Sequence, residues 1–144
     1  MSDKNTLVNP LFNMTEQQIV NYCDERGKQF AKNVTTSQLR NVFSKIVSIR
    51  TYYTNPKTQD INQFYSKLKR DITLLKPRLA YATARDERLK EFYKDMVILI
   101  DITINSIDNE LQQKGRNEFR LITLDNFFNI VEGFVAYHKY YGGK

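Results

Sequence analysis

Three basic side chains surround one tyrosine in residues 74–85, whose sequence is LLKPRLAYATAR. Arg78 and Arg85 are seven residues apart, so a helix would place them nearly in register on one face, with Tyr81 between them. Lys76 adds a third cation to the stretch. Guanidinium groups match the geometry of phosphate oxygens, and aromatic rings stack on nucleobases. The pattern therefore predicts a surface that binds a polyanion such as single-stranded nucleic acid.

Arg50 is a further candidate for a different reason. It follows Phe43 by seven residues and Ile46 by four, which places it at or beside the apolar stripe of its helix. A guanidinium in that position needs a carboxylate, backbone carbonyls or a bound phosphate as its partner. Each tyrosine near these cations either stacks on a base or packs in the core with its hydroxyl reaching water. The tyrosines concerned are Tyr52, Tyr53, Tyr65 and Tyr81.

The residue types that catalysis usually needs are scarce in this sequence. His138, the one histidine, lies on the apolar stripe of the last predicted helix, which is typical of a packed or interface histidine. Cys23, the one cysteine, faces the core of its own predicted helix. Glu91 and Asp95 are four residues apart, but neighbouring lysines favour surface salt bridges over a metal site. We therefore expect no enzymatic activity, no metal site and no cofactor.

The positive charge of the chain is concentrated in its middle. The net charge is +6, and residues 36–90 hold 12 of the 22 Lys and Arg residues but only 4 of the 16 Asp and Glu residues. Such an excess on one continuous segment is expected of a surface that binds a polyanion. Charge alone leaves open the alternative of an ordinary solvated surface.

The composition is that of one globular domain, and it lacks the many turn-forming glycines and prolines of a β-rich fold. The 144 residues are 41% hydrophobic and 26% charged, with only 5 glycines and 3 prolines to form turns. A lone cysteine fits a reducing cytoplasm, and the N-terminus lacks a signal-peptide pattern. The longest apolar run, residues 96–100, is too short to cross a bilayer. We expect a soluble cytoplasmic protein without membrane contact.

Apolar residues recur at helical spacing along most of the chain. This spacing predicts an all-α fold, a single compact bundle of about five helices over residues 14–144. Residues 1–13 are polar and are expected to form a flexible tail. Thr15 and Thr35 each precede a glutamine by three residues, which is the spacing of a capping box at a helix start.

A proline interrupts the middle of the helical pattern. A third helix is expected from about Asp60, and Pro77 either kinks it or ends it, with a new helix starting at Pro77 or Arg78. The longest predicted helix then covers residues 86–114. Its residues 96–104 are apolar nearly all round, so we expect them to be central in the bundle or covered by another chain.

The last predicted helix carries the C-terminal part of the apolar pattern. We expect Thr123 to cap its start and Gly142 to end it. His138 lies in its last turns, flanked by Tyr137, Lys139 and Tyr140. His138 could therefore also approach a nucleic acid from this end of the bundle.

Three stretches of the sequence carry a resemblance when they are taken together. They are TTSQLRN at 35–41, LKPRLAYATAR at 75–85 and FVAYHKYYGGK at 134–144. In this order and spacing they resemble the small subunit of the type III-A CRISPR effector, the Csm complex, and the resemblance covers most of the chain from about residue 28 onward. In that family the arginine that matches Arg85 usually follows glycine, whereas Ala84 precedes it here.

The resemblance implies a small all-helical protein without catalytic activity of its own. Several copies are expected to stack along the complex, beside the backbone subunits that hold the guide RNA. Their basic faces would line the channel for guide and target RNA. Because base pairing recognises the target sequence, the small subunit would need only contacts to the RNA backbone. The implied setting is antiviral defence in a prokaryotic cytoplasm.

The resemblance also implies which cations contact RNA. Arg40 and Arg85 match arginines of the family motifs, and Lys139 matches the lysine of AYHKYY. Two further cations match basic positions of the family around LKPRLAYA, and Arg50 is added from its place beside the apolar stripe. The predicted RNA-binding residues are Arg40, Arg50, Lys76, Arg78, Arg85 and Lys139.

Three alternatives remain open at this point. Arg85 could pair with an acid such as Asp101 and stabilise the bundle instead of binding RNA. The chain could be a freestanding scaffold or adaptor whose basic face binds an acidic protein. A helical DNA-binding regulator is the third alternative, although no helix-turn-helix with an exposed reading helix stands out.

Overall fold

The computed structural model describes residues 6–144, and these residues form helices and connections without a β-strand. The all-α class predicted from the sequence is therefore confirmed. Short 3-10 helices cover Leu11–Asn13 and Glu87–Leu89. The α-helices are α1 (Glu16–Asn33), α2 (Thr36–Thr54), α3 (Ile61–Thr73), α4 (Leu75–Arg85), α5 (Lys90–Lys114) and α6 (Ile122–Tyr140). Among the residues described, no helix has the length and apolar character needed to cross a membrane.

Helices α1 and α2 start with the capping boxes that the sequence predicts. The Oγ1 of Thr15 accepts a hydrogen bond from the Gln18 amide at 3.2 Å, and the Gln18 side chain accepts one from the Thr15 amide at 2.9 Å. Thr35 and Gln38 form the same pair of bonds at 3.1 and 2.9 Å. Each box satisfies two amides, one at the cap residue and one in the first helical turn, where amides lack a partner within the helix.

The predicted third helix is divided into α3 and α4 at Leu74. Pro77 lies in the first turn of α4, where its missing amide proton leaves no intrahelical bond unmade. The new helix begins at Leu75, so the sequence placed its start two or three residues too late. Leu75 and Leu79 are buried, whereas Arg78 on the same helix is exposed.

Helices α1 and α6 pack closely against each other, and a glycine in each makes this possible. A Cβ atom added at Gly133 of α6 would lie 2.5 Å from the Sγ of Cys23 in α1. A Cβ at Gly27 of α1 would overlap the Cβ of Tyr137 in α6. Any side chain at either position would push the two helices apart.

The apolar residues of α5 are covered mainly by the chain's own bundle. Met96, Leu99 and Ile100 are buried, as the sequence predicts for a central helix. Ile98 is different, because 51% of its surface remains exposed to solvent. Residues 96–104 therefore place one face of α5 in the core, while the apolar side chain of Ile98 lies outside the core.

The predicted N-terminal tail needs correction where the structure describes it. Leu11 is fully buried, its amide donates to the Oγ of Ser106 at 2.8 Å, and its carbonyl accepts from Asn126 at 3.0 Å. This part of the segment packs against α5 and α6, and the sequence offered no sign of these distant partners. Residues 1–5 of the predicted tail lie outside the described residues, and the domain boundary at residue 14 stays a prediction.

A carboxylate from α5 caps the start of α6, where the sequence predicted Thr123. The buried Glu110 accepts hydrogen bonds at 2.9 Å from the amides of Ile122 and Thr123. Lys114 contacts the same carboxylate at 3.1 Å. Thr123 itself lies inside the helix, and its side chain does not cap the helix start. A cap supplied from another helix gives no local signal in the sequence, which explains the error.

We expect the unfolding free energy to fall at acidic pH because of Glu110. Burial by itself would raise the pKa of Glu110, but the hydrogen bonds from the Thr123 and Ile122 amides and from Lys114 outweigh it, so the pKa is lowered from its ordinary value. A lowered folded-state pKa stabilises the fold above the unfolded-state pKa of about 4.5, and this stabilisation is lost as pH decreases through the folded-state pKa. Chemical denaturation followed by circular dichroism between neutral and acidic pH measures the effect.

Glu110→Gln is the control for that pH dependence. It keeps the size of the side chain but removes the negative charge, so it should lower the unfolding free energy at neutral pH by about 2–3 kcal/mol. The decline between neutral and acidic pH should become shallower than in the wild type. An unchanged pH profile in Glu110→Gln would contradict the assignment to this carboxylate.

Gly133→Ala should destabilise the fold by about 1–3 kcal/mol, because the added methyl group collides with Cys23. Cys23→Ala removes the colliding sulfur, so the double variant should recover most of the loss. The four proteins form a double-mutant cycle, measured by urea denaturation. Additive effects of the two substitutions would show that the contact between α1 and α6 does not set this cost.

Candidate nucleic-acid interface

The three sequence stretches at 35–41, 75–85 and 134–144 meet at one end of the bundle. Gln38 in the first turn of α2 donates a hydrogen bond to Asp86, directly after α4, at 2.9 Å. Thr36 in the same turn donates to the carbonyl of Gly143 at 3.4 Å. The start of α2, the end of α4 and the chain's C-terminal residues therefore form one continuous surface.

The end of α6 is shaped so that it reaches the start of α2. Gly142 adopts a left-handed conformation with φ of 83°, which lets the Gly143 amide turn back to the carbonyl of His138 at 2.8 Å. The buried His138 ring contacts the carbonyl of Val34 through Nε2 at 2.6 Å. The prediction that Gly142 ends the helix is confirmed, and so is the prediction of a packed histidine.

A groove of about 350 Å³ between α2 and α4 brings two of the predicted site residues together. Arg78 and Arg85 line it from α4, with Tyr81 between them. Arg40 lies on α2 immediately before Asn41, a groove residue, and its side chain is exposed. We call this the α2–α4 groove; its other lining residues are Gln38, Val42, Ser44, Leu79, Ala82, Thr83, Leu89 and Phe92.

A second groove of about 400 Å³ continues from the first, because Arg78 lines both. It runs between α2 and the region where α3 meets α4, and it adds Lys45 and Lys67 to the basic surface. Lys67 is partly neutralised by Asp71, at 2.8 Å. Sequence reasoning missed both lysines. Lys45 follows the groove residue Asn41 by four positions on α2, which could have indicated it, whereas only the packing of α3 against α2 reveals Lys67.

Four of the six predicted RNA-binding residues have no carboxylate partner among residues 6–144. These are Arg40, Arg78, Arg85 and Lys139, all of them exposed. The other two are already engaged with acids. Arg50 forms a salt bridge with Glu132 at 2.8 Å and lies 6.0 Å from the ring centre of Phe128. Lys76 pairs with Asp101 of α5.

The alternative in which Arg85 pairs with Asp101 is wrong. Asp101 is taken by Lys76, and the Arg85 guanidinium lies over the Tyr81 ring with its Cζ 5.6 Å from the ring centre. Asp86, the acid next to Arg85 in the chain, is also occupied, because Arg88 donates to both of its oxygens at 3.0 and 2.9 Å. Hydrogen bonds from Arg88, and then from Gln38, hold the pKa of Asp86 below its usual range.

The tyrosines interleaved with these cations divide into buried and accessible ones. Tyr53 and Tyr65 belong to the core, where both rings contact Phe64 and the Tyr53 ring also contacts Phe128. Tyr52 is half-buried at the second groove, with the Lys67 ammonium 5.1 Å from its ring centre. Tyr81 is exposed. Of this group, only Tyr52 and Tyr81 line a groove.

The groups considered for catalysis are engaged in structure. Cys23 is buried, which raises the pKa of its thiol to about 12, and its Sγ lies 3.2 Å from the carbonyl of Ile130. Glu91 is 3.9 Å from Lys94, and Asp95 is 3.6 Å from Arg26. The core role predicted for Cys23 and the surface salt link predicted for Glu91 are thus confirmed. Asp95 differs, because its side chain is largely buried and pairs with Arg26 of α1 rather than with a neighbouring lysine. Within residues 6–144, no three His, Cys, Asp or Glu side chains are grouped as a metal ion would need.

Comparison with known proteins agrees with the resemblance seen in the three stretches. A family model described as Csm2 Type III-A matches residues 13–144, which is almost the whole chain. No curated protein and no solved structure gives a significant match. Because the match covers almost the whole chain, the chain belongs to the Csm2 type III-A family, the small subunit of the type III-A Csm complex.

Proposed function

We propose that the chain binds the backbones of guide and target RNA through the surface formed by the α2–α4 groove and the adjoining end of the bundle. The observation that carries this proposal is a set of exposed cations at the place where the three family stretches meet, none of them paired with a carboxylate of the described residues. The RNA contacts are assigned to Arg40, Arg78 and Arg85, with Lys139 assisting from the end of α6.

Phosphate binding is favoured at this surface because these arginines need not give up another partner. An exposed guanidinium without a carboxylate is satisfied by water, and a phosphate oxygen replaces that water while releasing counterions from the RNA. Such contacts are independent of base sequence, which suits a subunit of a complex that recognises its target by base pairing. Neither a cofactor nor a metal ion is needed for this role.

Arg50 and Lys76 remain proposed contacts, with a smaller share. Arg50 would have to exchange Glu132 for a phosphate, and Lys76 would have to exchange Asp101. Exposed ion pairs of this kind contribute about 0–1 kcal/mol, so the exchange costs little but also gains less than binding by an unpaired cation.

We further propose that the chain stacks with copies of itself and with the other subunits of the effector complex, in antiviral defence in a prokaryotic cytoplasm. Ile98 supports a protein contact on α5, because this large apolar side chain is half exposed on the longest helix of the bundle.

RNA binding should lose part of its salt dependence when Arg40, Arg78 and Arg85 are all changed to alanine. For a single-stranded RNA of about 40 nucleotides, each lost phosphate contact reduces the slope of log K against log salt by about 0.7, so the triple variant should lose about 2 units of slope. Fluorescence anisotropy at several salt concentrations gives the slopes, and circular dichroism verifies that the variant is folded.

The matched control changes Lys57, Lys94 and Arg116 to alanine. These three exposed cations line neither groove, and their removal lowers the net charge by the same amount. The control should keep the wild-type slope. Equal losses in both triple variants would contradict the site. Absence of salt-dependent binding by the wild type would favour the adaptor alternative, and a preference well above tenfold for one duplex DNA sequence would favour a regulator.

The proposed contact between Ile98 of α5 and a neighbouring subunit should be weakened by a charged side chain at this position. Ile98→Asp places a carboxylate where an apolar side chain would be buried by a neighbouring subunit, so it should reduce recovery of the chain with co-expressed Csm subunits by about tenfold or more. Ile122→Asp is the control, because Ile122 is exposed to a similar degree on another helix. Full recovery with Ile98→Asp would remove this residue from the interface.

A further inference from the structure

The side chain of Tyr81 is strongly exposed to solvent, although it lies between two residues that line the α2–α4 groove. The side chain retains 67% of its accessible surface, whereas Leu75 and Leu79 supply the buried contacts of α4. Its hydroxyl has no hydrogen-bond partner within the part of the chain that the structure describes, and its ring contributes little to the core. Packing therefore gives no reason for an aromatic residue here.

Among the described residues, Tyr81 makes one ring contact, and this contact suits it to bind a ligand with a flat surface. The guanidinium of Arg85, one turn later on α4, lies over the ring at 5.6 Å from its centre. Aromatic and guanidinium planes both stack on nucleobases. Because no carboxylate among residues 6–144 pairs with Arg85, its remaining N–H groups are available to a phosphate.

The α2–α4 groove has the chemical layout of a site for one base. Val42, Leu79 and Phe92 are buried residues that line it with apolar surface. Polar side chains at its edge, among them Asn41 and Ser44, are exposed and can bond to the edges of a base. Its volume of about 350 Å³ lies within the range of about 300–1,000 Å³ that is usual for small-molecule sites.

We propose that the α2–α4 groove binds an unpaired nucleobase of an RNA strand, stacked on Tyr81, while Arg78 and Arg85 hold the flanking phosphates. This inference rests on the proposed RNA binding and adds a base contact to it. Bases in a continuous duplex are stacked on their neighbours, so the groove selects single-stranded or locally unpaired RNA. Stacking tolerates every base, so the stacking contact itself carries no sequence preference.

The test compares two RNAs of about 12 nucleotides that carry the same number of phosphates, one with all its bases and one with a run of abasic nucleotides at its centre. The wild-type chain should bind the abasic RNA about fivefold more weakly or worse, because stacking on the groove is lost. Tyr81→Ala should bind both RNAs equally, at the weaker level. Both affinities are measured by competition against a labelled RNA at fixed salt.

Two variants control for effects other than stacking. Tyr81→Phe keeps the ring and removes only the hydroxyl, so it should retain the preference for the RNA with bases. Loss of this preference in Tyr81→Phe would show that the hydroxyl, and not the ring, makes the contact. Ile122→Ala removes an apolar side chain that is 47% exposed but lies outside the groove, and it should also retain the preference. Because Tyr81 is exposed, its replacement should leave the helical circular dichroism unchanged.

The outcomes separate this inference from the proposed function. Equal binding of the two RNAs by the wild type, or an unchanged preference in Tyr81→Ala, would overturn the base site. Salt-dependent binding of the abasic RNA would still support the phosphate contacts in that case. If the wild type binds neither RNA at low ionic strength, both the base site and the proposed RNA binding are contradicted.

Discussion

The close approach of α1 and α6 is the contact on which the rest of the candidate interface depends. Gly27 and Gly133 remove the Cβ atoms that would separate the two helices. Because α6 lies so near α1, His138 reaches the carbonyl of Val34 at the end of α1. The C-terminal turn is thereby held against the first residues of α2. The packing of two glycines thus determines where distant parts of the chain meet.

Salt bridges to carboxylates determine which cations of this basic protein remain available to bind a ligand. Glu132 and Asp101 neutralise Arg50 and Lys76, so these two charges serve contacts between helices. Asp86, the acid closest in sequence to Arg85, is bound by Arg88 and Gln38 and does not compete for Arg85. The arrangement leaves a connected surface in which guanidinium groups that pair with no carboxylate of residues 6–144 adjoin an exposed tyrosine. A polyanion is the partner that such a surface fits best.

Much of the architecture could be predicted because it depends on local interactions. The capping boxes at Thr15 and Thr35 join residues three positions apart, and the helical spacing of apolar residues follows from the helix repeat itself. The family could be recognised as well, since its three stretches are continuous in sequence. Errors arose where the partner is distant. Glu110 caps α6 from another helix, and Leu11 is held by Ser106 and Asn126, neither of which a local pattern identifies.

The sequence by itself determined the helical class, most helix ends, the family and the set of basic residues from which an interface could be built. It could not determine which of these residues act together. Arg50 and Lys76 have the same charge as Arg40 and Arg78, but their availability depends on which acids the neighbouring helices bring within about 4 Å. Burial separates Tyr53 from Tyr81 in the same way. Tertiary structure made these choices, because ion pairing and solvent access are properties of residues that are far apart in the chain and adjacent only after folding.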